Sequence, residues 1–427
     1  MTQTILALLF VLVLFVIMVY KRISGLIVAP VLTVLLALLT GMDPTETLLN
    51  GYMGLASNYV KLFFLVFLTG AIFAQILHKT GAAASIAEGI VKIFGKKAVI
   101  PAMVLSTAVL TYGGISLFII FFIMYPMGLV MHKKANLTKI LIPGEIALGA
   151  FTFSMTTPGS PQVQNIIPTK YLGTPPTAGF IPGWITGILI AILGILYLKW
   201  RAKKHRENGL EFESYDELED EKDENLPNFW ISIAPSIVVI ILLNIVKIDI
   251  VWAMSFGIIA SIILLWNRLD ISEWNEAIAE GAKNSTLIIM MTAAIVGFAG
   301  AVKLLPDFPK IVNFVQSMSV NDYYFPAIST GFLSGISASS SGGLSVTFEA
   351  LTETFLELGI PMIAVHRIAS MAAGTIDSLP HCPAIINLLE VTKTSYADAY
   401  KDIFVTTILI PLLAIFFVLV PLFMIMN

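Results

Sequence analysis

The sequence contains little cysteine, histidine and charge. Its single cysteine, Cys382, excludes internal disulfide bonds and zinc sites built from several cysteines. The five histidines show no HxxxH or HExxH spacing, which argues against a metal centre. Only 12% of the 427 residues are charged, and the formal charge of −3 indicates no particular partner. We therefore expect no metal, no cofactor and no nucleic acid to bind.

Hydrophobic residues are abundant instead. They make up 57% of the chain, the mean hydropathy is +0.87, and apolar runs of about 20 residues recur, as in membrane-spanning helices. The runs are continuous rather than alternating, which argues against a β-barrel. The start, MTQTILALLF, has neither a basic region nor an obvious cleavage site, so it predicts a retained first span. The expected fold class is an all-α polytopic membrane protein.

The first half of the chain contains one interrupted apolar run. The run 98–132 carries Gly113-Gly114 near its middle, and its two arms of about 15 residues are each too short to cross a bilayer. This pattern predicts a re-entrant hairpin. The other apolar runs of this half lie at 4–20, 23–40, 60–78, 138–156 and 181–199, with a polar, capped segment at 43–58.

A second interruption follows at Thr157–Asn165, TPGSPQVQN. Two prolines three residues apart cannot both lie in an undisturbed helix, because each removes an N–H donor and clashes with the preceding turn. We predict a broken helix over about 138–171. In a membrane, the freed backbone groups must be satisfied by protein or by a watery cavity.

The same order of elements recurs in the second half. Pro158, Pro161 and Asn165 match Pro380, Pro383 and Asn387, each 222 residues later. A second hairpin is predicted at about 323–358, interrupted at Ser339–Gly343, and a second broken helix at about 362–394. The Asp-x-x-Glu pattern of Asp43 and Glu46 also recurs, at Asp270 and Glu273, and spans are expected at 229–246, 249–266, 285–303 and 402–425.

These matches divide the chain into two repeats. We predict a first repeat over 1–198, a charged cytoplasmic linker over 199–227, and a second repeat over 228–427. The linker begins basic and turns acidic, which is typical of a solvated connector; a regulatory or partner-binding segment is the alternative. Most of the 25 Lys and Arg residues fall on one side if each repeat crosses five times, which predicts ten crossings, both termini outside and inverted repeats.

Paired broken helices in the two halves of a membrane chain indicate the binding site of a transporter. Helix N-termini carry unpaired N–H groups and partial positive charge, which suit a carboxylate, while hydroxyl and amide groups suit a hydroxylated ligand. Small residues could instead serve close helix packing, and the asparagines could tie off freed carbonyls. The candidate substrate-binding residues are Gly113, Gly114, Ser116, Thr157, Ser160, Gln162, Asn165, Ser339, Ser340, Ser341, Gly342, Gly343, Ser378 and Asn387.

Four ionisable residues are candidates for coupling transport to protons. Asp377 lies in the second broken helix, where a charge inside the membrane is costly and usually functional. His381 titrates near physiological pH, although it could simply cap the helix break. Glu349 and Glu145 lie in apolar runs and could instead sit near an interface.

Several motifs resemble a known family. They are YGGIS (112–116), TTPGSPQVQNIIP (156–168), SASSSGGLSVTFEAL (337–351), HRIASMAAGTIDSLPHCPAII (366–386) and AYKDIF (399–404). Together they are similar to the gluconate permease (GntP) family of bacterial carriers, over about 60–427 without the linker.

The resemblance implies proton-coupled uptake of small hydroxy acids such as gluconate and other sugar acids, hydroxybutyrate, lactate or D-serine. It also implies the inverted repeats and elevator-type scaffold and transport domains of the ion transporter superfamily, with the site at the hairpin tips and helix breaks. A bacterial inner-membrane location and a homodimer follow from the same likeness. Family members often have asparagine-glycine where this chain has Cys382-Pro383, which favours a smaller or less hydroxylated acid than gluconate.

We therefore predict a secondary active transporter that takes up a hydroxymonocarboxylate with protons, and not an enzyme. Sodium coupling is the nearest alternative, because unwound carbonyls and serine hydroxyls also suit that ion. An intramembrane hydrolase built on Ser339–Ser341 and His381 is a different class, but no GxSxG motif occurs. A passive channel is a further alternative that the paired broken helices disfavour.

Overall fold

The computed structural model describes residues 2–21, 23–94, 98–115, 117–212, 226–310, 321–337, 339–380 and 382–426. Two predicted site residues, Ser116 and His381, lie outside these ranges, as does most of the acidic part of the predicted linker. Within the described ranges the chain consists of helices and their connections, without any strand.

The first half contains two pairs of helices that the site depends on. The first hairpin consists of Val99–Tyr112 and Leu117–Ala135, and the first broken helix of Ile142–Phe151 and Val163–Leu172 with a short turn, Phe153–Thr156, between them. The other helices of this half are Thr2–Tyr20, Gly25–Thr40, Pro44–Lys79, Ala82–Phe94 and Phe180–Glu207.

The second half has the corresponding pairs. The second hairpin consists of Phe325–Ser337 and Ser340–Glu357, and the second broken helix of Met362–Ile376 and Pro383–Val391. The remaining described helices of this half are Phe229–Val246, Ile250–Arg268, Ile271–Lys303 and Tyr396–Met426.

Six described helices are long and apolar enough to cross a membrane: Pro44–Lys79, Phe180–Glu207, Phe229–Val246, Ile250–Arg268, Ile271–Lys303 and Tyr396–Met426. Large aliphatic side chains are exposed along these helices, as expected for surfaces that face lipid. The protein is therefore a multi-pass helical membrane protein.

Two of these helices are longer than the spans predicted from the sequence. The segment 43–58 and the span 60–78 form one helix, and 270–284 and 285–303 form another, because neither stretch contains a proline after its first turn. Each helix starts at a side-chain cap. Asp43 accepts from the N–H of Glu46 at 2.7 Å, and Asp270 accepts from the N–H of Glu273 at 2.8 Å.

These two long helices pack against each other in antiparallel directions. Gly51 near the start of one faces Gly300 near the end of the other, while Gln75 donates to Glu280 at 2.6 Å at the opposite ends. A Cβ on Gly300 would lie 2.2 Å from the carbonyl oxygen of Gly51, so only glycine permits this approach. Close helix contact through small residues is the usual packing mode in membranes.

The helices form two groups by their contacts. The frame group comprises Thr2–Tyr20, Gly25–Thr40, Pro44–Lys79, Phe229–Val246, Ile250–Arg268 and Ile271–Lys303. The hairpin group comprises both hairpins, both broken helices, Phe180–Glu207 and Tyr396–Met426. The helix Ala82–Phe94 contacts members of both groups.

The helix Phe180–Glu207 continues into the segment predicted as a linker, so residues 199–207 are helical. The reason is a tertiary contact that the charge pattern did not reveal. Arg201 is buried and its Nε donates to Oδ1 of Asp402 at 2.6 Å, and Tyr197 donates to the same oxygen at 2.7 Å. This ion pair joins two helices of the hairpin group.

Candidate functional site

The first broken helix is interrupted where the prolines occur, and side chains from other parts of the chain donate to several of its freed carbonyls. Thr157 is extended and Gly159 has φ +86°, a left-handed conformation that glycine adopts readily. The Pro158 carbonyl accepts from the Tyr112 hydroxyl at 3.0 Å, and that of Gly159 accepts from Asn244 Nδ2 at 2.9 Å. The break is thereby satisfied by protein groups, as apolar surroundings require.

Asn165 also donates to carbonyls at the first break. Its Nδ2 donates to the carbonyls of Ser160 at 2.8 Å and Pro176 at 2.9 Å. Its Oδ1 lies 3.3 Å from Nε2 of His366, and the other ring nitrogen of His366 lies 2.7 Å from the Thr174 hydroxyl. The side chain therefore holds the break in shape, which is the structural alternative considered for it above.

Arg367 supports the same break from the second broken helix. Its side chain is fully buried and donates to the carbonyls of Thr156, Pro176 and Ala178, the last at 2.9 Å. These carbonyls include the C-terminal end of the short turn, where the helix dipole is negative and a cation is favourable. Arg367 thus joins the two broken helices.

The second broken helix ends its first part at Ile376 and resumes at Pro383. Two tyrosines of the Tyr396–Met426 helix satisfy the carbonyls between them. Tyr400 donates to the carbonyl of Ser378 at 3.1 Å, and Tyr396 donates to that of Pro380 at 2.7 Å. As in the first half, the break is held by side chains from neighbouring helices.

The tip of the second hairpin begins a helix. Ser339 is its N-cap, and its hydroxyl accepts from the N–H of Gly342 at 3.1 Å and lies 3.3 Å from the Ser341 hydroxyl. Gly343 allows the two arms to approach, because a Cβ there would lie 2.3 Å from the Cα of Ser334. Gly343 therefore serves the packing of the hairpin.

The tip of the first hairpin is closed by a residue from the first broken helix. Gly114 has φ +96°. Gln162 Nε2 donates to the carbonyls of Thr111 at 2.6 Å and Ile115 at 3.2 Å, which end the first arm. The tip and the break are thus fixed to each other.

Both tips and both breaks meet at one cavity of about 250 Å³. Its wall includes the first residues of four helices, which begin at Leu117, Val163, Ser340 and Pro383. Each helix N-terminus contributes partial positive charge and N–H groups that have no acceptor within their own helix, except that Pro383 has no N–H. The remaining wall comes from the frame group: Val66, Phe67, Gly70, Ala71, Met254, Ile288, Met291, Thr292 and Ile295.

Asp377 carries the one carboxyl group among the described residues of the cavity wall. Its carboxylate accepts from the Ser378 hydroxyl at 3.3 Å and faces the hydroxyl and N–H of Ser340. The acidic group therefore lies at the positive end of the second hairpin's second helix. Among the residues that the structure describes, no lysine, arginine or histidine lines the cavity.

The predicted substrate-binding residues are distributed unevenly around this cavity. Gly114, Gln162, Ser339, Ser340 and Ser341 line it, together with Asp377. The other described candidates are not part of the lining: Gly113, Thr157, Ser160, Asn165, Gly342, Gly343, Ser378 and Asn387.

The two glutamates proposed for proton coupling lie elsewhere. Glu349 accepts from Tyr171 at 2.7 Å and from Asn58 at 3.1 Å, outside the cavity wall. Glu145 is fully buried and pairs with Nε2 of His132 at 3.0 Å. Neither carboxylate reaches the helix N-termini at the cavity.

Two cavity residues with polar side chains, Gln164 and Thr292, were missing from the sequence-based list. Gln164 donates through Nε2 to the Ser340 hydroxyl at 3.1 Å, and its buried Oε1 has no hydrogen-bond partner among the described residues. Thr292 is the single hydroxyl residue in the apolar stretch 287–299. The sequence signal for Thr292 was an isolated polar residue in an apolar run. The signal for Gln164 was its place in the PxVQ pattern that begins at Pro161.

The comparisons with known proteins agree with this architecture. The family model described as GntP family permease matches residues 2–267. An uncharacterized transporter, YxjC, of Bacillus subtilis (strain 168) is 34% identical over 440 residues, covering 91% of this chain and 93% of the relative. An uncharacterized transporter of Haemophilus influenzae (strain ATCC 51907 / DSM 11121 / KW20 / Rd) is 22% identical over 339 residues, covering 78% and 77%.

The fold and the central cavity thus define a multi-pass membrane protein with an internal site. The chain belongs to the GntP family of permeases and is a transporter.

Proposed function

We propose that this transporter is a secondary active symporter that takes up a small organic monocarboxylate together with protons. The observation that carries the proposal is the convergence of four helix N-termini on one cavity whose described wall has no cationic side chain. Partial charges from helix ends favour an anion without fixing a permanent ion pair. Such a site binds a carboxylate and can also release it.

The cavity supports a small acid with few hydroxyl groups. Its volume of about 250 Å³ and its many apolar wall residues favour a short carbon chain. Gln164 Oε1 and the hydroxyls of Ser339 and Ser341 provide the polar contacts for one or two substrate hydroxyls. A hydroxybutyrate-like or lactate-like acid fits these groups better than a fully hydroxylated sugar acid.

Asp377 is the group that we propose takes the coupled proton. When ionised, its carboxylate faces the donors of Ser340 at a helix N-terminus, where a substrate carboxylate would also be attracted. Two carboxylates close together in a low-dielectric site repel strongly. Substrate binding is therefore favoured when Asp377 is protonated, which couples the acid to one proton.

Sodium coupling remains the alternative, and the structure gives it less support. The carbonyls freed at the first break accept from Tyr112, Asn244 and Asn165, and those near the first tip accept from Gln162. Carbonyl oxygens already engaged by protein donors are poorer sodium ligands.

The antiparallel long helices support two inverted repeats. Each begins at an Asp-x-x-Glu cap in the same place of its half, and the two run in opposite directions against each other. We propose that the frame group is the scaffold and the hairpin group the moving transport domain of an elevator-type carrier. A homodimer, an inner-membrane location and ten crossings with both termini outside complete the proposal.

The test is uptake by the purified protein in proteoliposomes. Radiolabelled three- to six-carbon hydroxy acids are offered under an inward pH gradient, under an inward sodium gradient, or with neither. We expect one small acid to accumulate with the pH gradient alone and to show saturable counterflow. Accumulation that requires the sodium gradient would show that sodium, and not the proton, is the coupled ion. Flux without counterflow would indicate a channel.

A further inference from the structure

A second crevice lies at the end of the Phe180–Glu207 helix. It has a volume of about 710 Å³ and separates that helix from the start and end of the first hairpin, 99–101 and 135–137. The hairpin side is mostly apolar, with Val99, Ile100 and Leu137. The helix side carries Lys199, Lys203 and Arg206.

The charge of the described lining of this crevice is positive. Among the described lining residues, three cations face one acid, Glu207, which lies 3.8 Å from Lys203 in an exposed i,i+4 pair of little strength. Arg206 donates one hydrogen bond at 3.5 Å to the Ala135 carbonyl, which leaves most of its guanidinium N–H groups for a ligand. In the described ranges, Lys199 forms no ion pair. The crevice therefore suits a phosphate-sized anion.

The basic residues continue an apolar stripe on the same helix face. Ile192 and Leu196 are 50% and 55% exposed and lie four residues apart, followed at helical spacing by Lys199 and Lys203. The stripe thus changes from aliphatic to cationic along one face. An anionic lipid has the matching order, because its apolar acyl chain is followed by a negatively charged headgroup.

Trp200 places this change of polarity at the level of the membrane interface. Its ring is 53% exposed, and the Lys204 ammonium lies 5.4 Å from the ring centroid. Exposed tryptophans of membrane proteins concentrate at the headgroup level, and basic pockets between helices on the cytoplasmic side bind anionic headgroups.

We propose that this crevice binds the phosphate headgroup of an anionic phospholipid, with an acyl chain along Ile192 and Leu196. Lys199, Lys203 and Arg206 hold the phosphate oxygens. A lipid explains the aliphatic stripe as well as the charge, whereas a free anion explains the charge alone. The crevice shares no lining residue with the substrate cavity.

The test measures lipid retention by native mass spectrometry of the purified full chain, titrated with phosphatidylglycerol or phosphatidylcholine. The variant K199Q/K203Q removes two cations of the crevice. The control variant K92Q/K283Q removes two exposed lysines elsewhere. At about 1 kcal/mol for each lysine near an anionic surface, phosphatidylglycerol should bind about thirtyfold more weakly to K199Q/K203Q and normally to the control.

The wild-type chain should retain phosphatidylglycerol in preference to phosphatidylcholine, and millimolar inorganic phosphate should not displace it. Equal retention of both lipids, or equal loss in the two variants, would overturn the proposal. So would displacement by phosphate alone, which would indicate a free-anion site. Phosphatidylglycerol binding that appears only after residues 213–225 are deleted would also overturn the proposal, because the acidic segment of the chain itself would then be the occupant of the crevice.

Discussion

At the residue scale, the site is built from groups that differ in how they meet the cavity. Asp377 and Ser340 present polar atoms to it, whereas Asn165 and Arg367 satisfy carbonyls behind it. Each broken helix supplies both kinds of residue: Gln162 and Asn165 in the first, Asp377 and Arg367 in the second. Sequence alone could place Asn165 in the proline-rich motif but could not decide which way its amide would point.

The first residue-scale prediction concerns Asp377. In Asp377→Asn the side chain no longer titrates, so uptake driven by a pH gradient should fall to the level of protein-free liposomes. Substrate should still bind, because the helix N-termini are unchanged, and counterflow exchange should persist. Proteoliposome uptake and substrate-induced thermal shifts at two pH values measure the two properties.

Glu349→Gln is the matched control, since Glu349 is bonded to Tyr171 and Asn58 away from the cavity. It should retain pH-driven uptake. Normal pH-driven accumulation by Asp377→Asn would contradict the assignment of the coupled proton to Asp377. So would a loss of pH-driven accumulation in Glu349→Gln alone.

At the element scale, the hairpins and broken helices depend on close backbone approach as much as on apolar burial. Gly343 brings the two arms of the second hairpin together, and Gly51 and Gly300 do the same for the two long helices. The pairs Gly113-Gly114 and Gly342-Gly343 were visible in the sequence as interruptions of apolar runs. Only the structure separates Gly114, which lines the cavity with a positive φ, from Gly343, which packs against Ser334.

Gly343→Ala should destabilise the second hairpin. The new Cβ would meet the Ser334 backbone at 2.3 Å, and overpacking of this kind costs about 1–3 kcal/mol. The gain of up to about 1 kcal/mol from replacing glycine in a helix offsets only part of that cost. We expect a lower melting temperature in a thermal unfolding scan of the detergent-solubilised protein.

Gly331→Ala in the same hairpin is the control, because its Cβ would lie no closer than 3.5 Å to the Ile376 side chain and 3.9 Å to the Ala372 carbonyl oxygen, which are ordinary contacts. Its melting temperature should be unchanged or higher. A similar loss in both variants would show that the arms do not pack as described.

At the scale of the whole molecule, ion pairs within and between the two helix groups differ in character. Arg201 and Asp402 form a buried pair inside the hairpin group. Lys170 and Asp249 form an exposed pair, at 2.8 Å, between the first broken helix and the frame group. A strong link within a group and a weak one between groups are what a proposed sliding of one group past the other requires.

Asp402→Asn should therefore cost much more stability than Asp249→Asn. Breaking a buried pair leaves Arg201 without its counter-charge, at a cost of about 3–5 kcal/mol, whereas an exposed pair contributes about 0–1 kcal/mol. Asparagine at 249 also keeps the cap on the Val251 N–H. Melting temperatures of the two variants give the comparison, and equal losses would contradict this division.

The sequence by itself determined that the chain spans a membrane with helices and is interrupted at Gly113-Gly114, Pro158, Ser339–Gly343 and Pro380. Hydrophobic run length and the missing N–H of proline are local properties, so composition and spacing express them directly. The motifs also carried the family resemblance, which the GntP family model confirms.

The tertiary structure alone decided which elements meet. It joined the two long helices in antiparallel contact, extended Phe180–Glu207 through Arg201, and brought the ends of four helices to one cavity beside Asp377. Several of these contacts join residues more than 200 positions apart. The direction of a buried amide or carboxylate depends on donors from other helices. Local sequence does not encode such donors, because burial and hydrogen bonding are set only when the helices pack.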